Sequence, residues 1–217
     1  MRKLLLTISL LVFLALSGCS ASDPVTEHIY FTGLDTTEIN YTNPYYEEIS
    51  IPSSHLVGLG IASDPAKSNA QSGLVYIFTD EVAINEKQLY FTFQMPHNYK
   101  EGTDLIPVVH FIYNADEVGT RVRWSIRYSW ANVGDNFPVS TPVWKNSDLA
   151  NNDSLKHQVT KFDSIDGAGK EISSHVLCYL SRNSSHVDDT YVSNVKVTGI
   201  SVLYQIDSPG SSSEWVK

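Results

Sequence analysis

Cysteine is almost absent from this chain: Cys19 and Cys178 are the only two among 217 residues. A fold stapled by several disulfides is therefore excluded. Basic charge is also scarce, with 15 Lys and Arg against 24 Asp and Glu and a net charge of −9. Nucleic-acid binding needs basic surface to displace counterions, and attraction to anionic lipid needs a polybasic cluster; the composition argues against both. No window sustains a period of 3.6, so amphipathic helices are not expected. Gly-x-Ser-x-Gly, a phosphate loop, His-Glu-x-x-His and a dinucleotide fingerprint are all missing, and no cofactor is implied.

The most informative stretch that is present lies at the start. Met1-Arg-Lys3 precede an apolar run from Leu4 to Leu16, broken only by Thr7 and Ser9, and then Ser17-Gly18-Cys19. A basic start, a short apolar region and small residues describe a secretory signal, and the run falls short of the ~20 residues of a membrane span. The Leu-Ser-Gly-Cys ending resembles a bacterial lipobox. That resemblance implies cleavage after Gly18, lipid on Cys19, and an exported protein anchored in the cell envelope by its acyl chains. Cleavage would remove Arg2 and Lys3 and no acid, leaving 13 basic against 24 acidic residues and a net charge of −11. With Cys19 acylated, no intrachain disulfide is possible, and Cys178 in its apolar run reads as a small buried hydrophobe. Residues 1–18 are expected to be the signal, 19–44 a polar tether, and 45–217 one folded domain.

That domain reads as β throughout. From Arg121 to Trp130, Val122, Trp124, Ile126, Tyr128 and Trp130 alternate with Arg121, Arg123, Ser125, Arg127 and Ser129, a strand with one face in a core. Gln88 to Met95 repeats the pattern with Leu89, Phe91, Phe93 and Met95 inward. Further strands are expected at Glu48–Ile51, Leu74–Thr79, Pro107–Tyr113, Lys156–Phe162, His175–Ser181 and Val195–Ile206, the last with a bulge at Gly199. Eight or so strands with turn-rich connections predict a two-sheet antiparallel β-sandwich, jelly-roll-like. An immunoglobulin-like sandwich is the alternative, without its cysteine–tryptophan–cysteine hallmark.

The connection Pro96–Asp104 concentrates His97, Tyr99, Lys100, Glu101 and Asp104, and Glu101 with Asp104 invites an acid/base pair. Gly102, Thr103 and Asp104 equally suit an ordinary turn, which is the preferred reading. His110 stands alone on a strand, since Val108 occupies the position a His-x-His metal pair would need, and no metal is expected. Asp188-Asp189 could clamp calcium but lacks Gly-spaced acidic ligands, so a solvated turn is expected. Trp144, placed in a loop between Phe137 and Leu155, could serve as a stacking platform or pack down onto the sandwich.

Several segments together resemble a family of tailed-phage and prophage proteins. They include Tyr46-Glu-Glu-Ile-Ser-Ile-Pro52, Met95-Pro-His-Asn-Tyr-Lys-Glu-Gly-Thr-Asp-Leu105, Trp130-Ala-Asn-Val133, Leu155-Lys-His-Gln158, Ile165-Asp-Gly-Ala-Gly-Lys170, Ile172-Ser-Ser174, Leu180-Ser-Arg182, Asp189-Thr-Tyr191 and Tyr204-Gln-Ile-Asp-Ser208. The resemblance spans about residues 45–217 and implies a virion-associated β-sandwich. Two departures stand out. A histidine-rich strand of the family is here Ile106-Pro-Val-Val-His-Phe111, and family members lack the signal and lipobox.

Three functions follow. The leading one is a non-enzymatic structural and recognition module on a lipid anchor, self-associating, as a trimer by analogy. The exposed arginine face of Arg121, Arg123 and Arg127 would then meet acids of a neighbouring subunit. The second is a virion head or tail component with no membrane role. The third is a surface carbohydrate-binding module using Trp144. An enzyme is the weakest reading, since nothing sets two carboxylates across a cleft.

Overall fold

The computed structural model describes residues 45–61, 64–70, 72–80, 87–150 and 153–211. The expected signal, Cys19 and the tether lie outside the described residues. Ten strands are described: β1 (Tyr45–Pro52), β2 (Ala66–Ala70), β3 (Gly73–Phe78), β4 (Gln88–Gln94), β5 (Ile106–Tyr113), β6 (Arg121–Ala131), β7 (Thr141–Asp148), β8 (His157–Lys161), β9 (His175–Arg182) and β10 (Val195–Ile206). The only helical element described is a three-residue turn at Ser53–His55.

The strands form two antiparallel sheets, so the jelly-roll-like sandwich expected from the alternation is the fold. The first runs β2-β3-β10-β5-β8 with β1 also on β10; the second runs β4-β9-β6-β7. The long β10 organises the first sheet. One of its edges pairs with β5, and the other is shared end to end, by β3 at Val195–Val197 and by β1 from Gly199 to Ile206. Its register against β5 shifts between Val197 and Gly199, where the bulge was expected. A Cβ at Gly199 would lie 3.2 Å from the Ile51 carbonyl oxygen, so the close approach of β1 adds a reason for glycine there.

Period-two alternation builds the core. Leu89, Phe91 and Phe93 on β4, Val122, Trp124, Ile126 and Trp130 on β6, and Val176, Cys178 and Leu180 on β9 face Val109, Phe111 and Tyr113 on β5 and Val197, Ile200, Val202 and Tyr204 on β10. Phe78 and Phe111 each set their rings 5.5 Å from Trp124, the tilted and edge-on geometry that the ring quadrupole favours.

Two strands were not foreseen. β2 is Ala-Lys-Ser-Asn-Ala, a polar edge strand whose composition reads as loop. β7 corrects the placement of Trp144: it lies on a strand paired with β6, not in a loop. The sequence signal was weak because β7 is an edge strand with one inward apolar residue packed on the core, Val143. Its Pro142 is tolerated for the same reason, since an edge leaves N–H positions unpaired.

Candidate binding face

The strand pairings place the outward residues of the second sheet in rows. One row runs Gln88, Ser181, Ser125, Trp144 across β4, β9, β6 and β7; the next runs Tyr90, Tyr179, Arg127, Pro142. Tyr90 and Tyr179 sit with ring centroids 5.3 Å apart, and the Tyr90 hydroxyl donates to Gln88 Oε1 at 2.5 Å. Trp144 lies two strand spacings from the Ser181 column, roughly 10 Å. Between the aromatic groups the two serines are covered, 1% exposed at Ser125 and fully buried at Ser181.

The Trp144 ring is held by the Arg123 guanidinium, 5.0 Å from its centroid. Arg123 is itself fixed by Asp188 at 2.9 Å and by Asn146 at 3.4 Å. A cation over a tryptophan face at this distance is attractive by about 0.5–1 kcal/mol, so the ring is presented on a braced mount. The Ser125 Oγ, buried between Trp144 and Ser181 in the row, finds no hydrogen-bond partner. An unsatisfied buried hydroxyl costs about 1–3 kcal/mol, and this one lies closed off beneath the face rather than on it. At one border the segment after Leu56 pairs with β4 through Val57 and Tyr90, bringing Asp64 close enough to help burial and Tyr179 raise the Tyr90 hydroxyl above its usual pKa.

The arginine face divides differently from expectation. Arg121 pairs with Asp148 at 3.3 Å and Arg123 with Asp188, both within the chain, so neither awaits a neighbouring subunit's acid. Asp189 does not sit in the solvated turn expected for it: it holds Arg182 in a two-pronged pair, at 2.7 and 3.0 Å, with both side chains 1% exposed.

The turn at 96–104 is locked to its neighbours. Tyr99 is buried, donates to the Thr103 carbonyl, and burial pushes its hydroxyl up to about 12. Glu101 accepts from the Ile172 N–H at 3.0 Å, while Asp104 accepts from Ser164 Oγ at 2.8 Å and the Gly167 N–H at 3.2 Å. His97 bridges Ser173 at 3.0 Å and Ser211 at 2.7 Å. The Lys100 N–H donates to Gln205 and its carbonyl accepts from Thr103. Each carboxylate thus serves backbone or hydroxyl donors of the 164–172 segment.

On the opposite face, His110 meets a partner that sequence spacing did not suggest. His157 on β8 stacks on it with centroids 5.2 Å apart and its Nε2 3.0 Å from His110 Nδ1, while Ser201 stands 2.8 Å from His110 Nε2. Among the described residues no cluster of three or more His, Cys, Asp or Glu could hold a metal.

Sequence reasoning named Trp144, but not Tyr90, Tyr179 or Ser181 as its companions. The signal existed: they are the outward positions of strands whose inward sets were identified, but joining them requires the β4-β9-β6-β7 order.

No protein-family model matches the chain, and no curated protein does. Among solved structures, dimeric latent PorU from Porphyromonas gingivalis is similar over 82% of this chain, at 15% identity and TM-score 0.37, and the chain spans 14% of its length. A family 35 carbohydrate binding module from Clostridium thermocellum aligns with 72% of this chain and 97% of its own, at 6% identity and TM-score 0.40. The infectious bursal disease virus Gx strain structure aligns with 84% and 39%, at 10% identity and TM-score 0.42. Likenesses this distant leave the face to be judged on this chain's own residues.

Proposed function

We propose that the protein is a non-enzymatic recognition module that binds a saccharide on the outer face of the β4-β9-β6-β7 sheet. The observation that carries this is the pair of outward rows Gln88–Ser181–Ser125–Trp144 and Tyr90–Tyr179–Arg127–Pro142, which set a braced tryptophan ring and a tyrosine pair on one sheet face with Arg127 between them. Sugars present both an apolar ring face and hydroxyl edges, and sites for such ligands combine aromatic surfaces with a few placed polar groups. The clostridial neighbour is itself described as carbohydrate-binding, but at TM-score 0.40 the case rests on the face alone.

Three of the segments that carry the phage-family resemblance pack elsewhere. Met95–Leu105, Ile165–Lys170 and Ile172–Ser174 meet one another through the Tyr99, Asp104 and Glu101 hydrogen bonds. They account for a shared sandwich joint, and ligand choice falls to the outer face. The lipid on Cys19 belongs to the same proposal, as the anchor that displays the domain on the cell envelope. Clickable fatty-acid labelling that disappears in Cys19→Ser tests the anchor.

A printed glycan array tests the face. Binding by the full chain should be lost in Trp144→Ala with the melting temperature little changed. Equal binding by the variant, or silence across the array, rejects the saccharide site.

A further inference from the structure

We infer that the saccharide is acidic, bearing a carboxylate as a uronic acid does, and that Arg127 is the residue that reads the charge. The inference rests on the saccharide reading of this face and adds the ligand's class.

Four arginines lie among the described residues. Arg121 pairs with Asp148, Arg123 with Asp188 and Arg182 with Asp189. Arg127 has no carboxylate partner and no side-chain hydrogen bond among the described residues. In a chain with nine more acids than bases, an arginine without an acid among the described residues is the exception. Acidic chains offer many partners for a guanidinium, and three of the four here have found one.

Its position is as informative as its solitude. Arg127 is half-buried on β6, an interior strand, in register with Tyr179 on one side and Pro142 on the other. It lies two residues along the strand from Ser125, the register partner of Trp144, so the guanidinium and the tryptophan ring share one outward face. A guanidinium presents a planar fork of donors that matches the two oxygens of a carboxylate. Of the acids around this face, Asp188 is engaged by Arg123, and Asp64 caps the Gly60 and Ile61 N–H groups beside Tyr90. Neither satisfies Arg127. A sugar laid with its ring on Trp144 would bring a neighbouring unit's carboxylate toward the Arg127 fork, one row away on the same face.

The test is an array of uronic-acid oligosaccharides printed beside the same oligosaccharides after carboxyl reduction, probed with the full chain. The acidic forms should bind at least about ten-fold more tightly, the factor one charge-assisted pair supplies. Arg127→Gln should erase that preference while keeping the melting temperature and the weaker binding to the reduced forms. Trp144→Ala should remove both. Equal binding to acidic and reduced forms overturns the acidic assignment and leaves the saccharide site standing. Silence on every spot removes the site and the assignment together. A preference that persists in Arg127→Gln overturns the role given to that residue.

Discussion

Gly167 stands so close to Thr103 that a Cβ on it would lie 1.8 Å from the Thr103 carbonyl oxygen and 2.8 Å from the Tyr99 hydroxyl. Two segments singled out by their family resemblance, Met95–Leu105 and Ile165–Lys170, are therefore in backbone contact. The contact is reinforced by the Leu105–Ile165 bridge and by Asp104 accepting from the Gly167 N–H. The obstruction is backbone, which cannot swing aside as a flexible side chain can. Gly167→Ala should destabilise the fold by about 1–3 kcal/mol or more, as overpacking does, read as a lower urea midpoint. Retention of the wild-type midpoint would mean that the two segments separate without cost.

The Arg182–Asp189 pair is buried at 1% exposure on both sides, and Arg182 also donates to the Ser193 carbonyl at 3.0 Å and to the Tyr191 carbonyl. Asp189 Oδ2 accepts from the Arg123 N–H at 2.9 Å, tying the pair to β6. Removing one partner leaves an uncompensated charge in a dry site, so Asp189→Ala should cost about 3–5 kcal/mol. Replacing both, as Arg182→Met with Asp189→Leu, should cost less than the single change, because no charge is stranded. A double variant as unstable as the single one would show that the carbonyl contacts of Arg182, rather than its charge pairing, hold this corner.

The sandwich itself was legible because buried strands alternate strictly. Val122 to Trp130 and Leu89 to Met95 declared their inward faces, and β10 began and ended where the apolar pattern did. β7 and β2 were not legible, because edge strands bury too little to leave a period. The arginines' partners were hidden for another reason. Asp148 and Asp188 reach Arg121 and Arg123 across a strand pair and a loop, a relation set by register rather than by local sequence. The candidate face needed both pieces of information at once, since Trp144 joins the other outward residues only when β7 is laid beside β6. His157 met His110 by the same logic, through the pairing of β8 with β5.

Cys178 is 6% exposed and pairs in register with Phe91 and Tyr128, and burial pushes its thiol well above the usual range. Thiolate is the reactive form, so the native protein should resist alkylation. In a chain begun at Ser20, which lacks Cys19, iodoacetamide should add nothing under native conditions and one label in denaturant. Labelling of the folded chain at a rate typical of a free thiol would contradict the burial.

Acid should loosen the opposite face through His110. Burial lowers its pKa below 6.5, His157 lowers it further, and Glu48 opposes them only partly. The folded state therefore binds the proton less readily than the unfolded chain, and stability must rise with pH across this window. The contribution of His110 is fully present above about 6.5, the unfolded value, and drains away as pH falls through the lower folded value. Melting temperatures measured between pH 7.5 and 5 should fall more steeply for the wild type than for His110→Gln, which cannot take up the proton. His157→Ala should flatten the slope in part, since it removes the neighbouring imidazole but leaves the burial. Parallel slopes for wild type and His110→Gln would show that this stacked pair plays no part in the acid response, and would return the loss of stability to the carboxylates, which titrate at lower pH.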